Sequence, residues 1–117
     1  MKKLILIVFG LFITTQSFAY DGISESIQTG RKTVTTAGTR EQLTSTSTAC
    51  TRVIITAETD NTGVIVVGGG SVVASLSTRQ GTPLAAGNSV TIPISNLDKI
   101  WIDTTIDTDG VLYTWFD

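Results

Sequence analysis

The run Val64-Ile65-Val66-Val67 constrains this chain more than any other stretch, because four consecutive apolar residues, all β-branched, leave a strand with no polar face. Such a strand cannot lie at a wetted edge. One face asks for a second sheet, and the other for more core or for a neighbouring subunit. Ahead of it, Val53, Ile55 and Ala57 alternate with Arg52, Ile54, Thr56 and Glu58, the period-two pattern of a strand whose faces see different surroundings. Between the two runs, Asp60-Asn61-Thr62-Gly63 supplies residues that tolerate positive φ and bond their own backbone, which predicts a hairpin. On this reading Ile65 and Val67 are the candidate residues for contact with another subunit or particle.

The chain begins with Lys2-Lys3, an apolar run from residue 4 to 13, and Ser17-Phe18-Ala19. That is the layout of a secretory signal peptide over residues 1–19, with small residues at the two positions a signal peptidase reads. The apolar run falls short of the about 20 residues that span a bilayer. The expected location is therefore exported, whether periplasmic, extracellular or particle-associated, with membrane contact only through the leader before cleavage. An uncleaved leader retained as a tether is the alternative.

Residues 20–117 form one domain's worth of chain. Without Lys2 and Lys3 the eight basic residues fall to six against ten acidic, a formal charge of −4. Scattered basic residues and an acidic balance argue against nucleic acid as a partner. The one cysteine, Cys50, allows no internal disulfide, so stability must come from packing or oligomer contacts.

Residues 20–32 show no strand pattern beyond Ile23 and Ile27 and read as a flexible arm. From residue 33 onward the texture is strand and turn. Short strands are expected near residues 33–36, 41–44, 52–58, 64–67, 71–76, 89–94, 99–104 and 111–116, with a long connection over 77–88. Pro93 removes a ladder donor and pushes its strand toward an edge. Asp107-Thr108-Asp109-Gly110 predicts a last hairpin. About eight strands and no helix predict an all-β fold, a small antiparallel β-sandwich of jelly-roll-like or Ig-like type over residues 33–117.

The chain contains no histidine, which excludes Ser-His-Asp and Cys-His catalysis and histidine-bound zinc. What remains for an enzyme is a carboxylate pair, and the available Asp and Glu residues sit at turns where aspartate is ordinary. No catalytic residue is expected. Asp107-Thr108-Asp109-Gly110 echoes the start of a calcium loop, and Asp103 could complete it, so Asp103, Asp107 and Asp109 are the candidate Ca2+ ligands. Trp101, Tyr113, Trp115 and Phe116 crowd into the C-terminal stretch, where Trp101, Tyr113 and Trp115 are candidates for stacking a sugar ring or a partner protein.

From residue 38 to residue 113 the order of short motifs resembles a family of small β-sandwich structural proteins of bacteriophages, of the head-decoration, head-fibre or tail-associated kind. The residues that carry the likeness are Gly38-Thr39-Arg40-Glu41-Gln42-Leu43, Ala49-Cys50, Asn61-Thr62-Gly63 and Val66-Val67-Gly68-Gly69. It continues through Gly81-Thr82-Pro83-Leu84, Ala86-Gly87-Asn88-Ser89, Asn96-Leu97, Ile100-Trp101-Ile102-Asp103 and Asp109-Gly110-Val111. The resemblance implies a non-enzymatic protein that coats or projects from a particle, with a homo-oligomer or capsid and particle proteins as partners. The export leader departs from that family's pattern and suggests either a virus that assembles at the inner membrane or a phage-derived module that the host secretes. The other expectation is a secreted module that binds a carbohydrate or cell surface through the aromatic residues and the loops 58–63 and 103–110.

Overall fold

In the computed structural model, which describes residues 26–117, eight strands are divided between two antiparallel sheets. They are β1 (Ile27–Thr33), β2 (Glu41–Gln42), β3 (Arg52–Ala57), β4 (Ile65–Gly68), β5 (Thr82–Leu84), β6 (Ser89–Pro93), β7 (Trp101–Thr104) and β8 (Gly110–Phe116). The first sheet has the order β1-β8-β3-β6 and the second β2-β7-β4-β5. Two four-stranded sheets wound in this order are the eight-stranded jelly roll, which selects between the two sandwich types expected from sequence. The expected signal peptide (residues 1–19) and residues 20–25 of the arm lie outside the described residues.

The core forms where the inward positions of the two sheets meet. Val53, Ile55 and Ala57 of β3 are fully buried and their neighbours half-buried, as the period of two requires. Ile65 and Val67 of β4, Ile102 of β7 and Val111 of β8 complete the same cluster. β6 alternates exposed Ser89, Thr91 and Pro93 with half-buried Val90 and Ile92. A 3-10 turn at Leu97–Lys99, capped by the Asn96 side chain accepting from the Asp98 amide at 3.0 Å, plugs Leu97 into one end.

Four expectations are corrected. The arm was expected to run to residue 32, yet Ile27–Thr33 is β1, paired along its whole length with β8. Its sequence hides the strand because Gln28, Gly30 and Lys32 occupy inward positions at the margin, where Gly30 leaves room for the Tyr113 ring instead of filling core itself. The hairpin between β3 and β4 does not exist, since β3 pairs with β6 and β8 while β4 pairs with β5 and β7. Asp60-Asn61-Thr62-Gly63 therefore carries the chain from one sheet to the other. The final hairpin fails in the same way, with β7 and β8 in opposite sheets.

The fourth correction concerns residues 71–76, which form no named strand. They belong to an excursion between β4 and β5 that folds back over the outer face of the second sheet and is closed by the bridge Val73↔Gln80. Val72 and Ala74 cover Val66 there, with Val64 and Trp101 beside them. The second apolar face of β4 is thus sealed by the chain itself. Gly81 makes the closure possible: its φ is +117°, and a Cβ there would stand 2.7 Å from Val66 Cγ1 and 2.8 Å from the Val67 carbonyl. The connection expected over 77–88 contains β5.

Candidate functional site

The three aspartates expected to ligate calcium are each engaged by backbone amides. Asp103 is buried on the outer face of β7, where its Oδ1 accepts from Gly38 N at 3.1 Å and Thr104 N at 2.8 Å, and its Oδ2 from Ala74 N at 2.9 Å. It ties the Val72–Ala74 cover to the sheet and to the turn after β1. Asp109 lies in the connection to β8 and accepts from Thr62 N at 3.2 Å and Gly63 N at 2.7 Å, while Asn61 and Gly110 exchange bonds at 2.8 and 3.0 Å. These bonds weld the two sheet-crossing connections to each other. Asp107 accepts from Ala37 N at 2.7 Å. The sites are spread over three contacts, and among the described residues no group of three or more His, Cys, Asp or Glu side chains is placed to hold a metal ion.

The aromatic residues do not share a face. Trp101 is half-buried on the outer side of the second sheet, against Val66, Val72 and Ala74. Tyr113 and Trp115 follow Val111 on the inward side of β8, stacked with centroids 5.5 Å apart and packed on the margin of the main core. Phe116 points the other way, under the Arg52 guanidinium at 4.4 Å. The sugar-stacking platform expected from Trp101, Tyr113 and Trp115 is corrected: β7 and β8 lie in different sheets, which puts Trp101 on a different surface from the stacked Tyr113 and Trp115.

Ile65 and Val67, the candidate contact residues, are 0% and 1% exposed and belong to the main core. They can serve assembly only by holding the fold. The correction has a simple cause, since the partner for the greasy strand is the chain's own excursion.

What the structure exposes instead is the outer face of the first sheet. Ile27 and Leu112 are 66% and 49% exposed there, with Ile54 half-buried between β8 and β6. Beside Leu112, Arg31 reaches over to the buried Glu58: Nε donates to Oε1 and Nη2 to Oε2, the latter at 3.1 Å. The hydrogen bonds and the charge of Glu58 hold the Arg31 guanidinium above its ordinary pKa. Together with Thr56 and Asp60 they line a shallow depression of about 470 Å3. A second depression, about 370 Å3, lies between Ala37, Gly38, Ser75, Leu76, Thr104 and Thr105. The sequence shows Glu58 and Asp60 as turn carboxylates and as part of the expected binding loop 58–63, but not Arg31, which falls in the expected arm. The outward alternation of Ile54 and Thr56 was the available signal.

Cys50 donates its thiol to the Ile94 carbonyl at 3.1 Å, and partial burial, assisted by Asp117, pushes its pKa up. A raised thiol carries little nucleophile at neutral pH. No family model, no curated protein and no solved structure matches this chain.

Proposed function

We propose that this chain is a non-enzymatic structural protein of a phage or phage-derived particle, or of a cell surface, that acts by docking and subunit contact. The observation that carries the reading is the strand order β1-β8-β3-β6 over β2-β7-β4-β5, an architecture shared by viral capsid and lectin domains. The warrant is fold-level analogy, joined to the motif order described above. The chemistry is consistent with it. The buried carboxylates Asp103 and Asp109 are spent on backbone amides and Glu58 on Arg31, so they serve to fasten loops.

The test is mass spectrometry of particles purified from producing cells. The reading expects this protein to copurify, with Tyr20 as its N-terminus if the leader is processed. Absence from particles, with the processed chain in the culture supernatant, overturns it. That result would favour a secreted saccharide-binding module, for which the mixed polar and apolar depression around Arg31, Glu58, Asp60 and Leu112 is the supporting feature.

A further inference from the structure

A jelly roll of two open sheets has four edges, and three of them are blunted here. β2 is two residues long and β5 is three, with Pro83 at its centre. β6 ends in Pro93, and the ladder parity shows what that does. Ala57 N bonds to Asn88 O, so the residues paired toward β3 are Asn88, Val90 and Ile92, while Ser89, Thr91 and Pro93 direct their backbone groups to the open side. The proline nitrogen sits where a free donor would otherwise point outward, a standard defence of an edge.

Among the described residues, β1 has no such defence. It is seven residues long, contains no proline, and borders the sheet. Val34 N bonds to Asp109 O and Asp117 N to Ser26 O, which places the even residues on the β8 side. On the same alternation, Ile27, Thr29, Arg31 and Thr33 turn their N–H and C=O groups away from the sheet. Charge, the other usual guard of an edge, is also neutralised: Arg31 is paired with Glu58, and Lys32 with Glu41 at 3.0 Å.

We propose that the β1 edge is the subunit contact of this protein and that its partner is a second copy of the chain, joined antiparallel about a two-fold axis at Gly30. The proposal rests on the structural-protein reading above and names its partner. The register follows from the sequence. An axis at Gly30 pairs all seven residues, setting Thr29 opposite Arg31 and Ile27 opposite Thr33, which are the residues with free backbone groups. It also sets Gln28 opposite Lys32. An axis at Arg31 or Lys32 would instead oppose like charges and leave one end of the strand unpaired. The contact is isologous, closes at two subunits, and joins two four-stranded sheets into one of eight.

Sedimentation equilibrium of the full chain, with amide exchange on the same sample, tests this. The expected result is a dimer in which the amides of Ile27, Thr29, Arg31 and Thr33 are protected. Thr29→Pro removes an outward donor from each copy without touching the β8 ladder, and is expected to weaken the dimer about tenfold to a hundredfold. Thr29→Lys, which keeps the backbone donor but sets a cation opposite Arg31 of the other copy, decides the matter if the proline variant does not fold. A monomeric wild type, or a dimer that a folded variant leaves intact, overturns the edge contact. A monomer that still copurifies with particles sinks this proposal alone, whereas an edge dimer absent from particles sinks the functional reading alone.

Discussion

Replacing Asp103 by alanine removes a side chain that fastens three parts of the molecule: β7, the excursion and the turn after β1. In the structure its carboxylate receives Ala74 N from the excursion and Gly38 N from the turn after β1, in a position 1% exposed to solvent. Hydrogen bonds to a charged acceptor contribute about 1.5–3 kcal/mol each, and removing the acceptor leaves a buried donor without its partner. Gly38 N keeps a second acceptor, the Thr104 carbonyl at 3.2 Å, so Ala74 N is the donor left without a partner, and Asp103→Ala should cost about 1.5–3 kcal/mol, a large share of the about 5–15 kcal/mol that holds a typical domain. For a domain of this size that lowers the unfolding midpoint by at least about 6 °C. Asp103→Asn keeps the volume and one accepting oxygen but turns a donor toward the other amide, and should cost less, about 1 kcal/mol. Urea unfolding of both variants gives the values, and amide exchange locates them: Ala74 should exchange faster while β3 and β8 stay protected. A loss under about 1 kcal/mol for the alanine variant, or equal acceleration everywhere, would refute the clamp.

Two further outcomes follow from single sites. Gly30→Ala puts a methyl group into the Tyr113 ring, which must move out of its stack with Trp115; a destabilisation of about 1–3 kcal/mol is expected, with a change in the near-ultraviolet dichroism of the two aromatics. Glu41 accepts from Thr35 N at 2.8 Å and from Lys32 at 3.0 Å, and these two partners, the amide first, outweigh burial and hold its carboxyl below the usual glutamate range. A carboxylate with a depressed folded pKa stabilises the protein above its unfolded pKa, near 4.3, and that contribution disappears as pH falls through the lower folded value. The unfolding free energies of wild type and Glu41→Gln should therefore differ at neutral pH, wild type being the more stable by no more than about 1 kcal/mol because the group is partly solvated, and converge as pH falls through the lowered folded value. A gap that persists in acid would contradict the assignment.

The candidate site was only partly legible. Asp103, Asp107 and Asp109 stand out in the sequence as oxygen-rich residues near turns, but composition does not say whether a carboxylate faces a cation or the N–H groups of a distant loop. Asp103 and Asp109 find backbone donors 29 and 46 to 47 residues away. Such contacts have no local signature. The aromatic platform failed for a different reason. It needed Trp101 and Trp115 on one surface, and nearness in sequence cannot establish that once the intervening turn changes sheets.

The sequence by itself determined that this chain is all-β, that the stretches around β3, β4, β6, β7 and β8 extend, and which side of β3 and β6 faces inward, because side-chain alternation along a strand is a local property. It also determined that β6 lies at an edge, since Pro93 cannot serve an interior ladder. Only the tertiary structure decided which strands pair. Asp60-Asn61-Thr62-Gly63 and Asp107-Thr108-Asp109-Gly110 reverse the chain equally well into a hairpin or across a sandwich. The choice fell to the arrangement that covers both faces of Val64-Ile65-Val66-Val67, with the main core on one side and Val72 and Ala74 on the other. That arrangement also recruits Ile27–Thr33 as β1, leaving along it a long strand edge that, among the described residues, neither a proline nor an unpaired charge protects.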